Sequence, residues 1–194
     1  MILNYDNKTI QIKIVYYGPA MSGKTTSIKY LFSYFGKEKE LTSIESTIGR
    51  TLFFDFGVLK FEGSEWILKF LIYSATGQDF YASTRPATLR GVDGIIFILD
   101  SHIESIEYNQ KSWEELKSLF GEEIFNIPII FSLNKYDIED DKKLDLKDLQ
   151  EFIELSNFKN YSFNKTIAIK GIGVFEAFEK LISFIFPNLK LRNC

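Results

Sequence analysis

Apolar residues along the chain fall into short runs that alternate with stretches of helical spacing, and this alternation predicts the elements. Ile10 to Tyr17 carries the β-branched and aromatic residues of a buried strand. A helix is predicted from about Lys24 to Phe35, followed by a polar, glycine-containing loop from Gly36 to Gly49. Leu52 to Leu59 and Trp66 to Tyr73 read as two strands joined by a turn around Glu62, Gly63 and Ser64. Ile95 to Leu99 is wholly apolar, too short for a helix and bounded by Gly94 and Asp100, as a central parallel strand is. A helix follows at about Ser105 to Phe120, then a strand from Ile127 to Leu133. The charged segment from Asp137 to Asp148 leads into a helix ending near Leu155. A last strand is predicted at Lys165 to Ile169, and a closing helix from Val174 to Phe186 stops at Pro187. Strands alternating with helices imply a three-layer α/β fold, with a mostly parallel six-stranded sheet, one antiparallel strand and helices on both faces.

Composition narrows this picture. With 194 residues and 45% hydrophobic content, the chain suits one domain over 1–194. Its 19 Phe and 10 Tyr point to a tightly filled core. Charge is nearly balanced, 23 basic against 26 acidic residues, with no basic stripe for nucleic-acid phosphates, so no DNA or RNA partner is expected. The one cysteine, Cys194, allows neither a disulfide framework nor a thiolate cluster within the chain, which fits a reducing cytoplasm. No run is long and apolar enough for a membrane span, and the start lacks a charged leader before an apolar stretch. Ile2 excludes N-myristoylation, and the ending LRNC is not a prenylation box, although lipidation of Cys194 is conceivable beside a frayed tail. A cytoplasmic monomer is the expectation.

The chemistry begins directly after the first strand. Gly18-Pro19-Ala20-Met21-Ser22-Gly23-Lys24-Thr25 matches G-x-x-x-x-G-K-[ST] between a strand and a helix, the context this phosphate loop requires. Glycines at both ends let the backbone curl, so that the N–H groups from Ala20 through Thr26 can point at phosphate oxygens near a helix N-terminus. Lys24 would supply a positive charge to the β- and γ-phosphates, and the Thr25 hydroxyl would ligate Mg²⁺. The loop does not by itself separate adenine from guanine nucleotides, or a hydrolase from a nucleotide or shikimate-type kinase.

Asn134-Lys135-Tyr136-Asp137 follows the strand ending at Leu133 and matches N-K-x-D of guanine-binding proteins. A carboxylate at Asp137 can accept from both guanine N1–H and the 2-amino group, whereas adenine offers no such donor pair and would leave the carboxylate unpaired. Asn134 would tie this loop to the phosphate loop, and the Lys135 stem would lie along the base. A kinase reading leaves this tetrapeptide unexplained.

The chain resembles the Ras superfamily of small GTPases, most closely its MglA-like prokaryotic branch. The likeness is carried by Gly18 to Thr26, by Arg50-Thr51-Leu52-Phe53-Phe54-Asp55-Phe56, by Gly77-Gln78-Asp79-Phe80-Tyr81 and by Gly171-Ile172-Gly173-Val174-Phe175, and it spans nearly the whole chain. It implies a P-loop G domain that binds GTP or GDP with Mg²⁺ and hydrolyses GTP slowly. It further implies that Gly77 offers its N–H to the γ-phosphate, that Gln78 orients the attacking water, and that Arg50 acts as an intrinsic arginine finger, with a solvated loop arginine as the alternative. Thr51 is the expected second Mg²⁺ ligand, with Thr47 close enough to compete. Where the family carries S-A-K, this chain reads Ile167-Ala168-Ile169-Lys170, and Ala168 is the candidate for a backbone N–H to the guanine oxygen. Effector and activating partners, roadblock-type proteins among the candidates, would engage switch loops around 37–56 and 74–90, in control of cell polarity or motility.

One departure stands out. Most relatives carry D-x-x-G-Q after the third strand, but here the segment is Ser74-Ala75-Thr76-Gly77-Gln78. The MglA likeness implies that Asp55 compensates, while an ordinary solvent-facing strand aspartate is the alternative. The missing carboxylate also motivates a second reading, a GTP-dependent binding module with negligible hydrolysis. His102 has no acidic or cysteine partner at ligand spacing and reads as solvated, Trp113 as core, and the run Glu139-Asp140-Asp141-Lys142-Lys143 as a solvated loop.

Overall fold

The structure is a computed structural model that describes residues 1–45, 51–75 and 83–189, with the backbone alone at 43–45, 51–54 and 140. In chain order its elements are β1 (Ile2–Asn4), β2 (Thr9–Tyr17), α1 (Lys24–Tyr34), β3 (Leu41–Glu45), β4 (Thr51–Glu62), β5 (Ile67–Ser74), α2 (Arg85–Leu89), β6 (Gly94–Asp100), α3 (Ile106–Phe120), β7 (Ile129–Asn134), α4 (Leu146–Gln150), β8 (Tyr161–Lys165) and α5 (Val174–Ile185). The strands form one sheet in the order β3-β4-β5-β2-β6-β7-β8, with β1 alongside β2. Pairings from β5 through β2, β6 and β7 to β8 are all parallel. As expected, β4 runs against β5; β1 also runs against β2, at the flank that β6 leaves open.

The pleat explains how one sheet serves two cores. On β6, Ile96 and Ile98 join one apolar cluster, and Ile95, Phe97 and Leu99 join the other. A strand buried on both faces loses the polar alternation of a half-exposed strand, which is why this run is continuously apolar. The first cluster is closed by α1 and by α5, whose Val174, Ala177, Phe178, Leu181 and Ile182 recur at helical spacing on one stripe. The second is closed by α3, with Trp113 and Leu116 fully buried, and by Leu89 and Leu149 of the two five-residue helices. Trp113 is therefore core, as its spacing predicts.

Several boundaries differ from the sequence expectation. Part of the predicted loop 36–49 is the edge strand β3, which pairs with β4 and contains an irregularity between Ser43 and Glu45. The helix expected to end near Leu155 is the short α4, started by a reciprocal capping box between Asp145 and Asp148. The last strand lies at Tyr161–Lys165 instead of 165–169. There Phe163 stacks on Phe131 of β7 at 5.3 Å, so the half-buried edge strand is written in alternating aromatic and polar residues. The apolar text after it folds back as a turn, Ala168–Lys170, in which Ile169 is 82% exposed. These turn residues stand over the C-terminal end of the sheet, the position at which open α/β sheets bind ligands.

Candidate nucleotide site

The phosphate loop bridges β2 and α1 and is shaped by two glycines. Gly18 has φ of 137°, and a Cβ there would meet the Ile98 carbonyl oxygen at 2.2 Å. Gly23 has φ of 103°, and a Cβ would strike Asn134 Nδ2 at 2.1 Å. Only glycine satisfies both the left-handed backbone and the close approach. Between them Met21 adopts φ of 61° with an exposed side chain, and Ala20 is exposed as well, so this stretch of backbone lies open at the surface. Ser22 is buried, whereas Thr26 is exposed.

Lys24 opens α1 and is buried. Its ammonium donates to the carbonyls of Gly18 at 2.9 Å and Pro19 at 2.6 Å, which holds it beneath the loop. Burial, with help from the positive charge of Arg85 and against the attraction of Asp55, pushes its pKa down to about 7. Arg85 is itself buried at the start of α2 and pairs with Glu115 of α3.

An acid stands one strand away from Ser74. Phe56 pairs with Tyr73, so Asp55 on β4 and Ser74 on β5 lie at the same level of neighbouring strands. Asp55 is fully buried, and its Oδ2 accepts from the Thr25 hydroxyl at 2.6 Å. The solvent-facing alternative for Asp55 is thus excluded. A hydroxyl and a carboxylate side by side at the phosphate loop form a hard-oxygen pair of the kind magnesium takes, completed elsewhere by phosphate and water. Among the described residues no group of three or more His, Cys, Asp or Glu could hold a metal on its own.

The second half of the site is built around Asn134, buried at the end of β7. Its Nδ2 donates to the Ser22 carbonyl at 2.8 Å, and its Oδ1 accepts from Ala168 N at 2.9 Å and Thr166 Oγ1 at 3.2 Å. One side chain therefore clamps together the phosphate loop, the Asn134-Asp137 loop and the turn after β8. The Ala168 N–H, expected to meet a base oxygen, is engaged by Asn134 instead, because the turn brings its backbone against the amide.

Each further residue of the tetrapeptide has its own support. Lys135, with φ of 63°, donates to Asp100 Oδ2 at 2.5 Å. The Tyr136 ring carries two ammonium groups over it, Lys143 at 4.8 Å and Lys165 at 4.4 Å from its centre. Asp137 accepts from Lys170 at 2.8 Å, and chiefly that hydrogen bond holds its carboxyl below the usual range. Burial pushes Asp100 upward, but hydrogen bonds from Lys135 and His102 outweigh it and leave Asp100 low.

His102 corrects its sequence reading, since its Nδ1 lies 2.7 Å from Asp100 Oδ1, two residues before it. The charged run is not wholly solvated either: Lys142 pairs with Glu139 at the surface, but Lys143 covers Tyr136. Asp100, Lys170 and Arg85 belong to none of the motifs in the sequence. An acid ending the strand next to the one that carries N-K-x-D was the one available signal for Asp100.

Thr47, Arg50, Gly77, Gln78 and Cys194 lie outside the described residues, and so does the side chain of Thr51, whose backbone pairs with Glu45. The described part of the site thus joins Gly18 to Thr26, Asp55, Asn134 to Asp137 and Ala168 in one place.

A family model of Ras proteins, described as the Ras family, matches residues 13–186. The chain belongs to the Ras family. This Ras-like protein is 34% identical, over 97% of its length and 97% of the relative's, to the mutual gliding-motility protein MglA of Myxococcus xanthus. It is also 27% identical to the Ras-related protein RABA4b of Arabidopsis thaliana, over 93% of this chain and 75% of that protein. With Rab-5A of Dictyostelium discoideum it shares 28% identity over 78% of this chain and 71% of the relative. It is a Ras-family small GTPase of MglA-like type, and among its described residues no helix is long and apolar enough to cross a membrane.

Proposed function

We propose that this Ras-like protein binds GTP with Mg²⁺, hydrolyses it slowly to GDP, and uses the change to order and release its switch loops. The observation that supports the reading is the Asn134 clamp, which holds the Asn134–Asp137 loop against the Gly18–Thr25 loop. Bound along it, the nucleotide would place guanine against Asp137 and the Lys135 stem, and its phosphates over the amides from Ala20 to Thr26. Lys24 would turn from the loop carbonyls to the β- and γ-phosphates. The oxygens of Thr25 and Asp55, with Thr51, would hold the ion. Magnesium there supplies neutralising charge to the phosphate oxygens. Gln78 would orient the attacking water and Arg50 would neutralise charge on the transferring phosphoryl group, while Gly77 senses the γ-phosphate.

The likeness to a gliding-motility protein extends the proposal to control of cell polarity or motility. Effectors and an activating protein, of roadblock type, would act through loops around 37–56 and 74–90 on a cytoplasmic monomer.

Hydrolysis is tested by single-turnover phosphate release. The wild type should exceed both Gln78→Ala and Arg50→Ala by about 10²-fold or more. Three equal, near-zero rates with GTP still bound would instead establish a binding module without turnover.

The low pKa of Lys24 gives a second test. Phosphate oxygens beside the ammonium would return it to its ordinary range, so binding above about pH 7 takes up close to one proton. Affinity for GDP is therefore expected to fall as pH rises above about 7, by up to about tenfold per unit. Calorimetric titrations at alkaline pH, in buffers of different ionisation heat, read the uptake directly; no uptake would contradict the placement of Lys24.

A further inference from the structure

Asp137, the carboxylate placed to read guanine, already carries a cation of its own. Lys170 Nζ donates to Asp137 Oδ2 at 2.8 Å. The lysine belongs to a turn whose backbone is closed by Lys170 N to Ile167 O, Gly171 N to Ala168 O and Ile167 N to Ile172 O. That turn is held to the base loop by Asn134, which also accepts from Ala168 N. The two ends of the ion pair are thus anchored on segments locked together, and the fold itself brings the ammonium to Asp137.

The chemistry of the bases makes this contact selective. Guanine presents two donors along one edge, N1–H and the 2-amino group, and needs both carboxylate oxygens. Hypoxanthine presents N1–H alone and needs only one. An ammonium on Oδ2 takes one of that oxygen's two acceptor directions and draws off its charge, so a base that must use both oxygens loses more than one that can use Oδ1 alone.

We propose that Lys170 is a specificity-determining residue, an internal competitor for the Asp137 oxygen that the guanine 2-amino group requires. It narrows the preference of the site for guanine over hypoxanthine nucleotides. The inference rests on the guanine-binding reading above. The pair is half exposed, so its influence is bounded at a few-fold, and salt screens it.

The test is equilibrium titration of the full chain with GDP and with IDP, for the wild type, Lys170→Met and Lys170→Arg. In low salt Lys170→Met should bind GDP about 3- to 5-fold more tightly, with IDP changed by less than about 2-fold. Lys170→Arg keeps a cation at Asp137 and should behave as the wild type, and added salt should shrink the gain. A gain equal for GDP and IDP, or weaker GDP binding by a Lys170→Met protein with unaltered thermal unfolding, would overturn the proposal. If the wild type binds neither nucleotide, the guanine reading itself fails, and it fails without reference to Lys170.

Discussion

Asp137→Asn is expected to lower affinity for GDP by about two to four orders of magnitude and to create affinity for xanthosine diphosphate. Two hydrogen bonds to a charged acceptor are at stake, each contributing about 1.5–3 kcal/mol. An asparagine amide offers one acceptor and one donor, so one guanine N–H would face another N–H. Xanthine carries N1–H beside a 2-oxo group and matches the amide. The loop should survive the change, because Asn134, Lys135 and Tyr136 hold it through the Ser22 carbonyl, Asp100 and the two lysines about the ring. Competition titrations against a fluorescent GDP would check this, and an unchanged GDP affinity would remove Asp137 from the base site.

Asp55→Ala should largely uncouple nucleotide retention from magnesium. In the wild type, chelating the ion is expected to speed GDP dissociation by about one to two orders of magnitude, the worth of a charged contact at this site. In Asp55→Ala, where Thr25, Thr51 and the phosphates still hold the ion, the rate with magnesium should move most of the way toward the chelated rate. The register of β4 and β5 supplies a rescue, since Ser74 lies level with Asp55 on the next strand. Adding Ser74→Asp to Asp55→Ala should restore part of the magnesium effect by returning a carboxylate to the same end of the sheet. Stopped-flow dissociation with and without chelator reads all three proteins. A magnesium effect as large in Asp55→Ala as in the wild type would place the ion elsewhere.

The parts of the site legible in the sequence are those whose chemistry is local. Gly18 to Thr25 and Asn134 to Asp137 each bring several functional atoms within one short loop, so spacing alone betrays them. Long-range partnerships left weaker traces. Asp55 could be noticed as the one acid in the aromatic run Leu52 to Leu59, but its burial against Thr25 depends on how β4 lies beside the phosphate loop. Asp100 and Lys135 are 35 positions apart and meet because β6 and β7 end together. Lys170 is an exposed lysine with no sequence feature to mark it, and only the turn after β8 carries it to Asp137.

The same contrast holds for the fold. The two-sided strands β6 and β7 and the stripe of α5 were plain, because burial on two faces or at helical spacing constrains many residues at once. The edge strands β3 and β8 were not, since half-exposed strands admit polar residues and resemble loops. The five-residue α2 is too short to show a period, and its Arg85, buried against Glu115, offers no apolar mark.

The most direct measurement is a competition titration of the purified protein with GDP and ADP in magnesium. A ring with two edge donors meeting Asp137, on a loop clamped to the phosphate site by Asn134, predicts that GDP is preferred by about 10³-fold or more. Equal affinity for the two, or affinity for neither, would contradict the account at its base.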